Sequence, residues 1–191
     1  MMDYMEREAT DVLPQVLDAA GIRQCVHIGH SDGASIAALH QAATGDERVL
    51  ALVLMAPHFF VEDLSIQSIR NVRTAWRETD LPQRLGKYHA DAENAFCGWN
   101  EAWLDERFLE WDIKDCIDHI SVPCLALQGR FDEYGTAAHI ETLSARSRSD
   151  VEVHFLPECG HSPHRDQPDQ TLALISAFAR RVSSTQQVLV Q

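Results

Sequence analysis

Gly29-His30-Ser31-Asp32-Gly33 joins a short apolar run, Cys25-Val26-His27-Ile28, to an alanine-rich stretch that ends at Gly45. The order reads as strand, sharp turn, helix, and the turn carries the pattern G-x-S-x-G. A strand-to-helix turn of this kind lifts a serine hydroxyl above the end of a sheet, and glycines on either side leave room for it. The helix that starts there points its positive end at the same spot. A serine hydroxyl is a weak nucleophile until a base reaches it, so the motif gains meaning if a histidine and an acid follow. Composition alone would produce the three fixed positions by accident in roughly one chain of this length in twenty. The apolar strand before the motif and the helix after it cut that chance sharply.

Working outward, residues 48–56 form a near-continuous apolar run of strand length. Such runs belong to parallel strands covered on both faces. Further on, a strand over Val122–Gln128, a helix over Thr136–Arg146, a strand over Val151–Leu156 and a helix over Pro168–Arg181 alternate, followed by a polar tail. Strands alternating with helices mean βαβ units and a parallel sheet, hence an α/β fold. Upstream, Val12, Leu13, Val16, Leu17 and Ala20 recur at helical spacing up to Gly21, which predicts an amphipathic helix over roughly residues 3–20. Pro14 lacks an N–H and is expected to kink it. From His58 to Asp118 the strand-like runs vanish and Trp76, Trp99, Trp103 and Trp111 all occur. The division that follows is a first core part at 1–57, a helical insertion at 58–118 and a second core part at 119–191.

An acid and a base are sought at the ends of later strands. Directly after Val122–Gln128 stands Gly129-Arg130-Phe131-Asp132-Glu133, and directly after Val151–Leu156 stands Pro157-Glu158-Cys159-Gly160-His161. Asp132 is the candidate acid, with Glu133 beside it and Glu62 or Asp63 as alternatives after the preceding strand. His161 is the candidate base and His164 its rival. The order Ser31, Asp132, His161 is the chain order expected when a G-x-S-x-G serine sits on this kind of sheet. Asp32 follows the serine, so its backbone N–H is a candidate oxyanion donor. Its carboxylate reads either as a helix-start acid favoured by the dipole or as a partner for a cationic substrate group. His27 reads as a packed strand residue, and His30 as a residue shaping the turn. His58 reads as a solvated loop histidine, with lining of a substrate pocket as its second role.

The 191 residues suffice for one domain with a sizeable core, and 45% apolar with 24% charged residues is ordinary globular composition. A net charge of −13 argues against nucleic acid and anionic membrane surfaces as partners and leaves a small-molecule substrate. No apolar run reaches the roughly 18 residues of a membrane span. Five cysteines without a Cys-x-x-Cys pair read as reduced thiols of a cytoplasmic protein. No phosphate loop, dinucleotide pattern or metal-ligand spacing occurs, so neither cofactor nor metal is expected.

The stretches GHSDGASIA (29–37), LQGRFDEYG (127–135) and ECGHSPHRDQP (158–168) together resemble the α/β-hydrolase superfamily, in its group of helical-cap serine hydrolases. The resemblance runs from the first helix to the end of the chain. It implies that Ser31 attacks, His161 relays the proton, Asp132 orients His161, and 58–118 is a cap roofing the pocket. A serine at this position favours acyl transfer on an ester, thioester, lactone or activated C–C bond over branches that use a carboxylate nucleophile. The family normally carries several strands before the helix with which this chain begins, so the resemblance implies an N-terminally truncated fold. The loop that usually supplies a second oxyanion donor has no counterpart, and strand 25–29 is left as an exposed edge, a route to homo-oligomers. A reading frame starting late, with Met1 or Met2 internal, is the expectation. The alternative is a truncated, non-catalytic binding protein of the same fold.

Overall fold

The computed structural model describes residues 3–189, with side chains described through residue 184. Met1 and Met2, on which the expectation of a late start rests, lie outside the described residues. The core is a four-stranded parallel sheet in the order β1 (Cys25–His30), β2 (Val49–Met55), β3 (Cys124–Gly129), β4 (Val151–Leu156). Side chains of a strand alternate between faces, and here both faces are apolar. Leu52, Leu54, Cys124 and Ala126 enter the larger buried cluster. Ala51, Val53, Met55, Leu125 and Leu127 enter the smaller one on the opposite side, with Phe178 and Val182. This two-sided burial explains why β2 reads as a continuous apolar run.

The chain enters through α1 (Tyr4–Arg7), a π-turn over Glu8–Val12, and α2 (Leu13–Ala19). The π-turn takes the place of the expected kink. Pro14 cannot donate to the carbonyl four residues back and its ring would strike it, so the widened turn just before it makes the room. After β1 comes α3 (Asp32–Thr44), whose buried Ala34, Ala37 and Ala38 let it lie close on the sheet. Gly45 ends it in the left-handed conformation, φ 58°, returning its N–H to the Gln41 carbonyl.

Between β2 and β3 the chain makes a helical excursion: α4 (Asp63–Glu78), α5 (Leu81–Leu85), α6 (Ala92–Leu104), a 3₁₀ turn over Glu106–Glu110, and α7 (Lys114–Ile117). Its two ends are clasped together. Phe60 and Asp112 form an antiparallel bridge, the Ile113 N–H donates to the Phe59 carbonyl (2.8 Å) and the Val61 N–H to that of Trp111 (3.2 Å). The excursion does not pack as a separate body, because its Ile66, Ile69, Trp103 and Phe108 share the cluster that contains Leu52 and Leu54.

α8 (Ala138–Arg146) crosses from β3 to β4, the single turn α9 (Pro163–Asp166) follows β4, and α10 (Pro168–Leu189) covers the second face. α10 replaces the polar tail expected after Arg181. No glycine or proline interrupts residues 182–189, and Val182 is buried against the sheet, so the helix has reason to continue. The outer edge of β1 has no strand partner among the described residues, and Ile28 on it is 55% exposed.

Candidate active site

Among the described residues, three non-glycine residues have positive φ: Ser31 (54°), Ala56 (47°) and Glu158 (49°). Each stands just past the carboxyl end of a strand, β1, β2 and β4 respectively. Strain of this kind persists where the surroundings over-determine it, and here it marks one edge of the sheet. Ser31 is held there by its N–H, which donates to the Met55 carbonyl (2.9 Å), and by its carbonyl, which accepts from Ala34 N–H (2.8 Å) and Ser35 N–H (3.2 Å). Asp32 and Gly33, the first residues of α3, are left without a backbone acceptor among the described residues.

The two glycines of the motif differ. A Cβ on Gly29 would lie 2.3 Å from the Gly33 carbonyl oxygen and 2.5 Å from Ala34 Cα, whereas one on Gly33 would meet nothing within 4 Å. Only Gly29 is required by space, which corrects the expectation that both leave room for the turn.

His161 Nε2 lies 2.9 Å from Ser31 Oγ, and its Nδ1 lies 2.9 and 3.0 Å from the two oxygens of Asp132. An ionised carboxylate only accepts, so Nδ1 carries the proton and Nε2 is free to accept the serine hydroxyl. Asp132 is fixed from three further sides. Its Oδ1 accepts the N–H groups of Tyr134 (2.8 Å) and Gly135 (3.2 Å), and its Oδ2 accepts from Gln128 Nε2 (2.7 Å). Burial works against its charge, yet the His161 hydrogen bond and charge and the two backbone donors outweigh it, leaving the carboxyl below its ordinary range.

The rival residues sit elsewhere. Glu133 Oε2 accepts the backbone N–H of His161 (3.3 Å), not its ring. Glu62 caps α4 and faces the buried His139 (2.9 Å) and the Thr136 hydroxyl (2.6 Å); Asp63 opens α4. His164 packs edge-on against the ring of His30. His30 donates from Nε2 to the His161 carbonyl (2.7 Å), tying the turn at Ser31 to the loop that carries His161. Gln128 escaped the sequence reading, although a polar residue closing the apolar strand Cys124-Leu-Ala-Leu was its visible signal.

His27 is buried, stacked on His40, and pushed down to about 4 by burial and by the neighbouring histidine. His58 corrects its first reading as a solvated loop residue: it is 3% exposed, because Trp103, His139 and His161 close around it with ring centroids 5.1–5.7 Å away. Burial and then the neighbouring histidines push it down to about 3, so it is neutral in ordinary buffers. It is among the residues that line the cavity at Ser31.

The Asp32 carboxylate turns into the fold. Tyr4 donates its hydroxyl to Oδ2 (2.6 Å), and Trp103 Nε1 donates to the Tyr4 oxygen (3.0 Å) and to Oδ2 (3.3 Å). α1, the turn and α6 thus meet at one carboxylate, and a cationic substrate group would have to compete with Tyr4 and Trp103 for it. Burial raises the Asp32 pKa, with the Tyr4 and Trp103 hydrogen bonds pulling it partly back. An acid whose folded pKa is raised holds its proton more tightly when folded, so its ionisation costs stability as pH rises above the unfolded value, about 3.9. Asp32→Asn is therefore expected to lessen the loss of stability between about pH 4 and neutrality. Melting curves of both proteins across that window check it, and an unchanged pH slope refutes it.

The cavity is about 630 Å³, with Ser31, Asp32, His58 and His161 toward its floor and Ile69, Trp99 and Trp103 of the excursion in its wall. Among the described residues no three His, Cys, Asp or Glu side chains converge as a metal would require, and no helix is long and apolar enough to cross a membrane. All five cysteines are free; Cys124 and Cys159 are buried and the others half-buried.

The profile of the alpha/beta hydrolase family matches residues 2–174, and the chain belongs to that family. No curated protein matches it in sequence. Among solved structures it is similar to a membrane phospholipase A described as a bacterial virulence factor, at 22% identity and TM-score 0.74, over 94% of this chain and 64% of that one. It is similar to a meta-cleavage product hydrolase from Pseudomonas fluorescens, at 20% identity and TM-score 0.69, over 90% of this chain and 70% of that one. A thermophilic esterase from Thermogutta terrifontis matches at 22% identity and TM-score 0.66, over 93% of this chain and 72% of that one. At these identities the likeness is one of fold. The chain spans less than two thirds of the length of the phospholipase.

Proposed function

We propose that the chain is a serine hydrolase that cleaves an ester, thioester, lactone or activated C–C bond through an acyl-Ser31 intermediate. The observation that carries this reading is the single file Ser31 Oγ, His161 imidazole, Asp132 carboxylate, at 2.9 Å on either side of the ring. For an ester, Ser31 Oγ attacks the carbonyl carbon and its proton passes to His161 Nε2. The C–O bond to the leaving alcohol then breaks, and that alcohol takes the proton from Nε2. Water, deprotonated by the same nitrogen, attacks the acyl carbon, and Ser31 leaves with the proton restored. Asp132 keeps the ring in the productive tautomer and stabilises the imidazolium that forms in each half. The Asp32 N–H, at the positive end of α3 and without a backbone acceptor, is the oxyanion donor of this reading. We take residues 58–118 as the cap, with Trp99 and Trp103 presenting an apolar wall to the acyl chain.

Treatment with a fluorophosphonate probe is expected to place a single adduct on Ser31, read by peptide mass mapping, and the adduct should vanish in Ser31→Ala. Labelling of another serine, or undiminished labelling of the variant, refutes the assignment.

A further inference from the structure

The charged residues at the Ser31 cavity are not arranged evenly. Its acids are engaged by the protein. Asp32 accepts from Tyr4 and Trp103 and is largely buried, and Glu133 accepts the backbone N–H of His161. Its two arginines are not. Arg84, from α5 of the excursion, and Arg165, from α9 just past His161, both line the cavity and are both exposed, which puts them at its mouth. Neither guanidinium has a hydrogen-bond or ion-pair partner among the described residues. The acid next to Arg165, Asp166, accepts the Gly160 N–H (2.8 Å). Elsewhere the arginines Arg48, Arg107 and Arg146 are each held by aspartates, as expected in a chain of net charge −13. Exposed arginines elsewhere in the described residues, Arg23, Arg77 and Arg180 among them, also lack such a partner, so what distinguishes Arg84 and Arg165 is that the two come from separate elements and line one cavity.

A guanidinium presents a planar fork of donors that matches a carboxylate in two-point contact. The same cavity is lined by Ser31 and by the apolar Ile69, Trp99 and Trp103. From this arrangement we infer that the substrate is an acyl compound with a carboxylate at the far end of its acyl chain, held by Arg84 and Arg165 while the scissile carbonyl rests at Ser31. The inference rests on the serine-hydrolase reading above and specifies its substrate class. The arginines also give a locally attractive entrance for an anion on a protein whose overall charge repels one.

Two esters of equal acyl length separate the carboxylate from everything else: p-nitrophenyl hydrogen glutarate and p-nitrophenyl valerate. The protein is expected to favour the glutarate at least tenfold in kcat/KM. Arg84→Gln with Arg165→Gln is expected to lower that ratio tenfold or more, chiefly through KM of the glutarate. Arg84→Lys with Arg165→Lys, which keep the charge and lose the fork, should fall between. A valerate preference in the unaltered protein, or a glutarate preference that survives the double glutamine change, overturns the inference. A second measurement does not depend on catalysis. In Ser31→Ala, glutarate is expected to change the fluorescence of Trp99 and Trp103 saturably, dimethyl glutarate is not, and the double arginine change should abolish the response. If no ester is turned over, the hydrolase reading fails while this titration still decides the carboxylate site: saturable, arginine-dependent binding upholds it, and its absence overturns it.

Discussion

Asp132→Asn is expected to lower kcat for p-nitrophenyl butyrate about 10⁴-fold while the protein stays folded. The substitution is isosteric, and the retained amide oxygen can still take the N–H groups of Tyr134 and Gly135 that Oδ1 now accepts. What changes is the proton inventory of the file. An amide NH₂ turned toward His161 donates where the carboxylate accepted, so Nδ1 becomes the acceptor and Nε2 carries the hydrogen toward Ser31. The base then cannot take the hydroxyl proton, and no negative charge remains to stabilise the imidazolium. Gln128 reinforces the effect, because its Nε2 donates to Oδ2 (2.7 Å) and would face a second donor in the variant. Glu133→Gln, which touches only the His161 backbone, is expected to cost far less. Initial rates with near-unity melting cooperativity for both variants decide the matter. Equal losses would mean that the neighbouring acids share the role and that Asp132 is not the orienting group.

Gly29→Ala is expected to cost about 3 kcal/mol or more of stability, a large part of a margin of about 5–15 kcal/mol. Its Cβ would press on the Gly33 carbonyl at 2.3 Å and on Ala34 Cα at 2.5 Å, both backbone atoms of a helix start that cannot rotate away. The strain can be relieved only by moving the first turn of α3, which carries the Asp32 N–H, so residual folded protein should also lose turnover. Gly33→Ala is the contrast. Nothing lies within 4 Å of its new methyl, and alanine in a helix is favoured over glycine by about 1 kcal/mol. Denaturant midpoints of the two variants should move in opposite directions. Equal destabilisation would mean that the turn needs glycine at both positions for a reason other than space.

Much of the frame could be read from the chain because its signals are local. The apolar run at 48–56, the alternation after residue 119 and the G-x-S-x-G turn each state their element within a few residues. The acid and base candidates were legible for the same reason, since each follows directly on a strand. What was not legible depends on residues far apart. Tyr4, Asp32 and Trp103 meet across 99 positions of chain, and no periodicity announces it. His58 lies after a strand end, where loops are usually wet, and only the arrival of Trp103, His139 and His161 makes it dry. The opposite directions of the adjacent acids, Asp132 to the imidazole and Glu133 to the backbone behind it, likewise appear only in three dimensions.

The clasp between Phe60 and Asp112 makes the helical excursion between β2 and β3 unusually open to change in length. Once the Phe59 and Ile113 ends are joined, the chain between them is a closed loop, and doubling the length of such a loop costs only about 0.6 kcal/mol. Residues 86–91, all exposed, are where extra residues would disturb least. The five residues from Gln128 to Asp132 have no such latitude, because one added there would slide the carboxylate off the imidazole and off Gln128 together. Insertions and deletions should therefore be absorbed by the excursion and rejected by the Gln128–Asp132 turn, so that the cavity's wall can drift while the Asp132–His161 contact keeps its register.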